Sequence, residues 1–437
     1  MIFPNYFDIK IHFLLYVKIL FIKLIAYYTQ ACGPEQPNIM STSTSKAPSG
    51  ALIILAIILL GLNLRPILAA IGPLLDQIQA STGISSSGAG LLTTVPVFAM
   101  GVCALLGAQL QKRLGVYRGI ALGSVVIGAA SLLRWPLHGS SGLIATAALG
   151  GLGIALVQAL LPAFIKRHFP ERAGQLMGLY TTGIMGGAAL AAASASPLAR
   201  GTGWSGLLAL WAIPALLAAA LWICAARPYR AAGAGVSAKL PTHAPRAWLL
   251  MVFFGIGTGA YTLVLAWLPP YYTQLGWSAA DSGLLLGALT LTEVVAGLVV
   301  SALINAFPDR RVLLLTVLLC VLAGLVCLIV APAPLAIPAI ILLGCGIGAL
   351  FPLSLIVTMD HVRDPAGAGS LLGFVQGGGY IIASSMPFIA GLIREHSSSL
   401  SQAWMVMAGG VLLLLVIALR LSPQSRLEAS GLLAAAR

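Results

Sequence analysis

Long apolar runs follow one another along the chain from residue 50 onward. Each lasts about 20 residues, the length with which an α-helix crosses roughly 30 Å of hydrocarbon. The runs lack the alternation of polar and apolar residues that barrel strands show, so the pattern predicts helices. The predicted spans are residues 51–74, 88–110, 117–134, 142–164, 174–198, 205–226, 247–272, 280–303, 311–331, 335–358, 370–392 and 400–420.

The composition places these helices in lipid. Of the 437 residues, 59% are hydrophobic and 8% are charged, whereas about 25% of residues are charged in ordinary soluble domains. A chain of this composition needs a bilayer as its solvent. We therefore expect an all-α membrane protein with twelve transmembrane helices.

The formal net charge of +13 raises the question of nucleic acid binding, which the distribution of basic residues answers. Most lysines and arginines lie in alternate loops, whereas the other loops hold few, namely Arg134, Arg200 and Arg394. By the positive-inside rule, this bias predicts that both termini are cytoplasmic. The basic balance is then an insertion signal, and we expect a bacterial cytoplasmic (inner) membrane protein with no nucleic acid partner.

Residues 1–49 precede the first span and differ from the rest in composition. Residues 1–39 are rich in Ile, Phe, Tyr and Lys, whereas the remainder is rich in Ala, Gly and Leu. We expect an extension that is disordered or arises from a misplaced start, with Met40 as the natural first residue. The alternatives are a helix at the bilayer surface, with Lys10, Lys18 and Lys23 reaching water, and a targeting segment, although a clear cleavage site is lacking.

The chain contains an internal repeat. Residues 83–92 resemble residues 276–285, 193 positions further on, and the same spacing relates residues 151–154 to 344–347. Residues 174–183 resemble 369–378 in the same order. The repeat predicts two pseudo-symmetric six-helix bundles, residues 50–226 and 247–421, joined by a cytoplasmic linker, 227–246, and followed by a cytoplasmic tail, 422–437. Halves related in this way place a substrate site between them near the bilayer midplane.

Arg65 is a charge in the middle of the first apolar run. It lies about fourteen residues into its helix, roughly 20 Å from the helix start at 1.5 Å per residue. A charged side chain at that depth costs at least about 2.5 kcal/mol and needs a wet cavity or a partner. Pro66 follows it and disturbs the helix. We expect Arg65 to hold an anionic or electron-rich solute by charge-assisted hydrogen bonds.

Glu293 is the one acidic residue deep in a predicted span. Two interpretations stay open. Glu293 forms a structural ion pair with Arg65, or Glu293 takes up a proton that is coupled to transport while Arg65 binds the solute.

Further polar and aromatic residues lie in the spans, among them Thr182 and Tyr380. Glutamines in apolar helices serve as interhelical hydrogen-bonding groups as often as ligand contacts, and a tryptophan near a span end is typical of the aromatic belt. With these alternatives open, the predicted substrate-binding residues are Arg65, Asn63, Gln158, Tyr180, Thr181, Tyr261, Trp267 and Gln376.

The sequence lacks the motifs of several other classes. It has no Walker motif to drive an ATP-powered pump, no catalytic group set, and six scattered cysteines without metal-ligand spacing. We expect no enzyme activity, no cofactor and no metal.

Four segments carry a family resemblance: "LNLRP" (62–66), "LLPAFIKRHFPERAG" (160–174), "MGLYTTGIMGGAALAAA" (177–193) and "AWLPPYY" (266–272). They resemble the cyanate/2-nitroimidazole transporter branch of the major facilitator superfamily. The resemblance implies secondary transport of small anions or small nitrogen-rich molecules by alternating access, with Arg65 facing the central cavity.

The chain departs from the family at two places. The loop after the second span, "GAQLQKRLG" (107–115), lacks the acidic residue of the superfamily motif, whereas "FPDRR" (307–311) keeps one. Gln158 stands where many relatives have Asn. The candidate gating-loop residues are Lys112, Arg113, Asp309, Arg310 and Arg311.

Two functions stay open: a carrier of a small, cyanate-like anion, and an exporter of neutral 2-nitroimidazole-like compounds. A membrane sensor that has kept the fold is a third and weaker candidate, because no signalling domain is attached. The expected partners are a small-molecule solute, the lipid bilayer and a coupling proton, and we expect a monomer.

Overall fold

The predicted apolar runs form helices throughout the part of the chain that the structure describes. This structure, a computed structural model, describes residues 50–137, 139–229, 240–307, 309–362, 365–397 and 399–421. The predicted extension up to residue 49, residues 230–239 of the predicted linker and the predicted tail from residue 422 lie outside these ranges.

The first half contains nine α-helices within the described ranges. They are α1 (Gly50–Leu62), α2 (Pro66–Ala69), α3 (Leu75–Thr82), α4 (Ser86–Leu105), α5 (Gly107–Leu114), α6 (Val116–Leu133), α7 (Ser140–His168), α8 (Ala173–Leu210) and α9 (Ala212–Ala225).

The second half contains six helices within the described ranges. They are α10 (Pro245–Gln274), α11 (Ala279–Leu303), α12 (Arg310–Val330), α13 (Ala336–Asp360), α14 (Pro365–Ser397) and α15 (Ser401–Arg420).

These helices supply the twelve membrane crossings that the sequence predicts. Ten described segments are long and apolar enough to cross a bilayer, and one of them, residues 170–225, is 56 residues long. That segment holds two crossings, because the backbone of α8 leaves the helical region at Gly203, where φ is +71°. The twelfth crossing is α14, a 33-residue helix whose composition is less apolar because it contains Gln376 and several glycines.

Two helix starts repeat the same local structure 193 residues apart. Gly83 and Gly276 both have a positive φ, 67° and 89°, which a residue without a Cβ adopts at little cost. Ser85 then accepts a hydrogen bond from the backbone N–H of Gly88 at the start of α4, and Ser278 accepts one from Asp281 at the start of α11, both at 3.1 Å. These serines are N-caps, so the sequence repeat corresponds to a structural repeat.

Helix packing repeats in the same way. A Cβ added to Gly153 of α7 would lie 2.6 Å from the Gly123 carbonyl oxygen of α6, and one added to Gly346 of α13 would lie 2.8 Å from the Val317 carbonyl oxygen of α12. Both glycines thus allow a close approach between backbones. The two matched segments occupy equivalent places in two pseudo-symmetric bundles.

The two halves meet along two helix pairs, α4 with α14 and α8 with α11. Small residues again bring the backbones together. A Cβ on Gly101 would lie 2.6 Å from the Gly377 carbonyl oxygen, and a Cβ on Gly283 would lie 2.6 Å from the Ala192 carbonyl oxygen. Polar residues placed between these two seams therefore face both halves.

Candidate functional site

A break in the first membrane crossing positions Arg65. Helix α1 ends at Leu62 and α2 begins at Pro66, because proline has no N–H with which to continue the hydrogen-bond ladder. The Asn63 side-chain amide stabilises the break: it donates to the Leu59 carbonyl at 2.7 Å and to the Pro214 carbonyl of α9 at 3.1 Å. The break is therefore anchored to the first bundle, and Arg65 follows it directly.

The Arg65 side chain is buried, with 4% of its surface exposed. Its Nη1 lies 3.6 Å from the Met100 sulfur, which is a weak acceptor. Its guanidinium carbon lies 5.5 Å from the centre of the Tyr261 ring, within the range of a cation–π contact. Its Nε has no hydrogen-bond partner within the described protein, so the guanidinium keeps hydrogen-bonding capacity for a ligand.

Side chains from both halves surround this guanidinium. The Tyr380 hydroxyl of α14 lies within hydrogen-bonding reach of Arg65 and of Gln158 on α7. Tyr180 of α8 is close enough to Arg65 and Tyr380 to interact electrostatically with both. The first half thus contributes an arginine, a glutamine and a tyrosine, and the second half contributes the facing tyrosines.

Several buried polar atoms of this cluster have no hydrogen-bond partner among the described residues. Buried polar groups in proteins are nearly always paired with protein or with ordered water, so a concentration of unpaired ones indicates where a polar ligand or water binds. These atoms are Arg65 Nε, Gln158 Oε1, the Tyr180 and Tyr261 hydroxyls, and both carboxyl oxygens of Glu293.

Glu293 faces the cluster from α11. It is 3% exposed, and it is electrostatically close to Arg65 and Tyr261. It forms no ion pair with Arg65, because the salt bridges among the described residues join other groups. A Cβ on Gly348 of α13 would collide with the Glu293 backbone, so α13 packs closely behind the residue. The structure thus contains a buried cation and a buried carboxyl group that share one site without direct contact.

Three of the other predicted site residues, Asn63, Thr181 and Trp267, have their polar groups engaged elsewhere. Asn63 is bound to backbone carbonyls, as described above. The Thr181 hydroxyl donates to the Met177 and Gly178 carbonyls of its own helix, both at 3.0 Å. The Trp267 indole donates to the Pro387 carbonyl at 2.9 Å, and Gln376 is half-buried on α14. The contacts of Asn63 and Trp267 indicate helix–helix anchoring.

The candidate gating-loop residues lie at helix ends. Lys112 and Arg113 are exposed in the last turn of α5. Asp309 caps α12, accepting from the Arg311 backbone N–H at 3.0 Å and pairing with its guanidinium at 2.7 Å. This pairing holds the pKa of Asp309 below its usual value. Arg310 bridges to Asp360 at the end of α13, at 3.1 Å, so the loop is tied to two helices.

Sequence reasoning did not assign Tyr380 or Met100 to the site. Tyr380 is a polar aromatic residue in an apolar span, which is a signal, but many such residues face other helices. Met100 gives no signal in a sequence, because methionine is an ordinary core residue. Their places next to Arg65 follow from the α4–α14 packing.

The family scan matches the chain to the Major Facilitator Superfamily over residues 51–385. This match covers more than half of the chain, which therefore belongs to that superfamily of membrane transporters. Two solved structures have the same fold. The first is a D-xylose–proton symporter, with a TM-score of 0.69 at 15% identity; the match covers 86% of this chain and 98% of the symporter chain. A bacterial homologue of the lysosomal transporter Spinster, at 0.65 and 14%, covers 89% and 100%.

Sequence relatives identify the branch of the superfamily to which the chain belongs. The chain is 38% identical to the "Cyanate transport protein CynX" of Escherichia coli (strain K12) over 375 residues, 85% of this chain and 97% of the relative. It is 32% identical to the "2-nitroimidazole transporter" of the same organism over 386 residues, 86% and 95% of the two chains. The chain is a multi-pass membrane transporter of small solutes in the cyanate/2-nitroimidazole branch, and it is not an enzyme.

Proposed function

We propose that the chain is a secondary active transporter that carries a small, cyanate-like anion by alternating access, with Arg65 as the anchor of the anion. The observation that carries the proposal is the Arg65 guanidinium itself: it is buried between the halves, and among the described residues it has no carboxylate partner and its Nε has no hydrogen-bond partner. The 38% identity to a cyanate transport protein supports the same solute class.

The division of the site between the two halves supports alternating access. When one half rocks against the other, the groups of the first half (Arg65, Gln158 and Tyr180) separate from Tyr261, Glu293 and Tyr380 on one side of the membrane. Polar contacts between the halves hold one end together: Arg394 pairs with Asp76 at 3.7 Å, and Glu395 accepts from the Ser87 N–H at 3.1 Å. Opening at that end has to break both contacts.

Orientation, coupling and assembly complete the proposal. The distribution of basic loops supports cytoplasmic termini in a bacterial inner membrane, which places Asp76 and Arg394 on the outer side. Glu293 supplies a proton-binding group beside the anion anchor, so we propose proton coupling through it. The protein acts as a monomer, since the whole cluster belongs to one chain.

A second candidate function is export of neutral, 2-nitroimidazole-like compounds. Two observations favour it: three tyrosines line the cluster, which suits a planar aromatic solute, and the chain is 32% identical to a 2-nitroimidazole transporter. The remaining site residues serve both candidates.

Solute counterflow in proteoliposomes tests the proposed function. Vesicles are preloaded with unlabelled cyanate and diluted into labelled cyanate, with thiocyanate, nitrate or 2-nitroimidazole as competitors. The wild type is compared with two variants. Arg65→Gln removes the positive charge, whereas Arg65→Lys keeps the charge and removes the planar guanidinium group, which can donate two parallel hydrogen bonds. Arg118→Gln, at an exposed position near the start of α6, is the matched control for removal of a cation.

We expect small anions to compete, Arg65→Gln to abolish counterflow, and Arg118→Gln to leave it unchanged. Counterflow of cyanate that Arg65→Gln retains would overturn the anchor. Competition by 2-nitroimidazole without competition by anions would favour the second candidate.

A further inference from the structure

The hydrogen-bonding roles of the cluster depend on a single group. Arginine is a donor under all ordinary conditions, the glutamine oxygen is an acceptor, and tyrosine hydroxyls serve as either. A carboxyl group is a double acceptor when ionised and a donor when protonated. Glu293 is the one carboxyl group among the buried groups of this cluster that have no partner within the described residues, so the gain or loss of one proton on it changes the donors and acceptors of the site.

The protonated form of Glu293 gives the site the character of an anion receptor. Arg65 is then the single charge in the cluster, and Glu293, the tyrosines and Arg65 can all donate hydrogen bonds. A small monoanion that carries acceptors and no donors matches this set. The ionised form would place a second negative charge beside that anion in a poorly hydrated site, which is unfavourable.

The ionised form of Glu293 gives the site the character of a receptor for a neutral, two-ended molecule. Arg65 and Glu293 then carry opposite charges that are not in contact, because no ion pair joins them, although the guanidinium charge acts on the carboxyl group. A planar molecule with an acceptor at one end and an N–H at the other can bridge the two. A nitro-substituted azole has this arrangement, and the Tyr261 ring beneath Arg65 offers it a surface for stacking.

We propose that the protonation state of Glu293 selects between two ligand classes: an acceptor-only monoanion when the carboxyl group is protonated, and a neutral N–H-bearing heterocycle when it is ionised. The inference rests on the proposed function, since it uses the same site. In the first case one anion and the proton on Glu293 occupy the site together, so the loaded site gains no net charge. In the second case no proton is taken up.

The surroundings of Glu293 leave few other groups that could produce such behaviour. The charged and titratable side chains that act on it are Arg65, from the break in the first crossing, and Tyr261 of α10. Helix α13 packs on α11 and contacts Glu293 through Gly348. Helix α8 also packs on α11, where Ala189 and Ala193 contact Gly287. Arginine and tyrosine keep their protons well above neutral pH, so the proposed change belongs to Glu293.

Opposite pH dependences for the two ligand classes test the proposal. Labelled thiocyanate, a linear anion that survives acid, and labelled 4-nitroimidazole, which is neutral up to about pH 8, are used as probes in counterflow experiments with equal pH on both sides. Over a range of about pH 5 to 8, the thiocyanate affinity should fall by up to about tenfold per pH unit as Glu293 ionises. The 4-nitroimidazole affinity should instead rise with increasing pH, by a similar factor per pH unit.

Three variants sharpen the test. Glu293→Gln has a neutral amide that both donates and accepts, so both pH slopes should disappear. Glu293→Asp still titrates and should keep them, and Glu171→Gln, at an exposed position, should match the wild type. Slopes of the same sign for both probes in the wild type, or slopes that persist in Glu293→Gln, would overturn the proposal. Because cyanate counterflow at fixed pH and its dependence on Arg65 are measured separately, these results leave the proposed function intact.

Discussion

The first half of the chain buries two arginines, Arg65 and Arg134, and their surroundings differ. Arg134 is 1% exposed; its Nη1 donates to the Ile67 carbonyl at 2.9 Å, and its Nε donates to the Thr146 hydroxyl at 3.4 Å. Arg65 instead contacts a thioether and an aromatic ring, and it lies within hydrogen-bonding reach of the Tyr380 hydroxyl of the other half. The burial of an arginine therefore does not by itself indicate a binding site; the indication comes from what its donors contact.

The two arginines act together at the break in the first membrane crossing. In a continuous helix the Ile71 N–H would bond to the Ile67 carbonyl, but after the break it bonds to the Leu68 carbonyl at 3.2 Å. The Ile67 carbonyl is left for another donor, and Arg134 supplies it. One Arg134 nitrogen, Nη2, has no hydrogen-bond partner within the described protein. The two residues to which Arg134 does donate, Ile67 and Thr146, both belong to the first half. Arg134 holds the broken segment on which Arg65 is presented.

The largest effect is expected from Arg65→Gln. Loss of a charge-assisted contact costs about 2–3 kcal/mol of solute binding, which is a drop in affinity of about one hundredfold. The unfolding temperature should stay the same or rise, because removal of a buried cation without a carboxylate partner relieves a desolvation cost. Thermal unfolding in detergent, titrated with thiocyanate, measures both quantities. A variant that loses stability along with affinity would contradict the distinction between the two arginines.

The reverse result is expected from Arg134→Gln. The Ile67 carbonyl loses its donor, at a cost of about 1–3 kcal/mol in unfolding free energy, while the affinity of the folded fraction for thiocyanate should change by less than about threefold. The same titration provides the measurement. A hundredfold loss of affinity at unchanged stability would instead make Arg134 a ligand contact.

A pair of tyrosines extends the comparison to hydroxyl groups. The Tyr261 hydroxyl faces the cluster and has no hydrogen-bond partner within the described residues, whereas the Tyr271 hydroxyl donates to the Leu328 carbonyl at 2.7 Å. Tyr261→Phe should lower thiocyanate affinity by about tenfold through the loss of about 1.4 kcal/mol of binding, with stability preserved. Tyr271→Phe should cost about 1 kcal/mol of stability with affinity preserved. If the two variants changed either the thiocyanate affinity or the stability by the same amount, the distinction between the two hydroxyl groups would be contradicted.

The smallest effects should come from the groups that the two guanidiniums contact. Met100→Leu conserves volume and removes a weak acceptor from Arg65, so solute affinity should change by less than about threefold. Thr146→Val removes an oxygen from Arg134 and should lower the unfolding free energy by about 1 kcal/mol. Counterflow and chemical unfolding of the two variants check these values, and a large loss of transport in Met100→Leu would show that the sulfur is needed at the site.

The sequence alone predicts the membrane crossings, the two-bundle repeat and the two exceptional charges, Arg65 and Glu293, because each stands out against an apolar background. It does not predict which polar groups are already engaged. Asn63 is bound to Pro214 and Trp267 to Pro387, partners more than a hundred residues away that only helix packing brings together.

Residues at the ends of predicted spans are hard to place from sequence for a related reason. The sequence pattern puts Arg134 at the end of a span, among the loop cations, but the structure buries it, with a hydrogen bond to the Ile67 carbonyl. Tyr380 and Gln376 lie four residues apart on α14, and the sequence favours Gln376, whereas the contacts next to Arg65 involve Tyr380. The choice between them depends on the rotation of α14 against α4, which is a property of the packed structure.

The location of a bound anion tests the central claim most directly. Selenocyanate has the linear shape of cyanate and carries selenium, whose anomalous scattering marks its position in a crystal of the wild-type protein. We predict one selenocyanate within hydrogen-bonding distance of the Arg65 guanidinium, between Gln158 and Tyr261, and its loss in crystals of Arg65→Gln. Selenocyanate bound at Arg134 or Arg394, with Arg65 left without an anion, would contradict it.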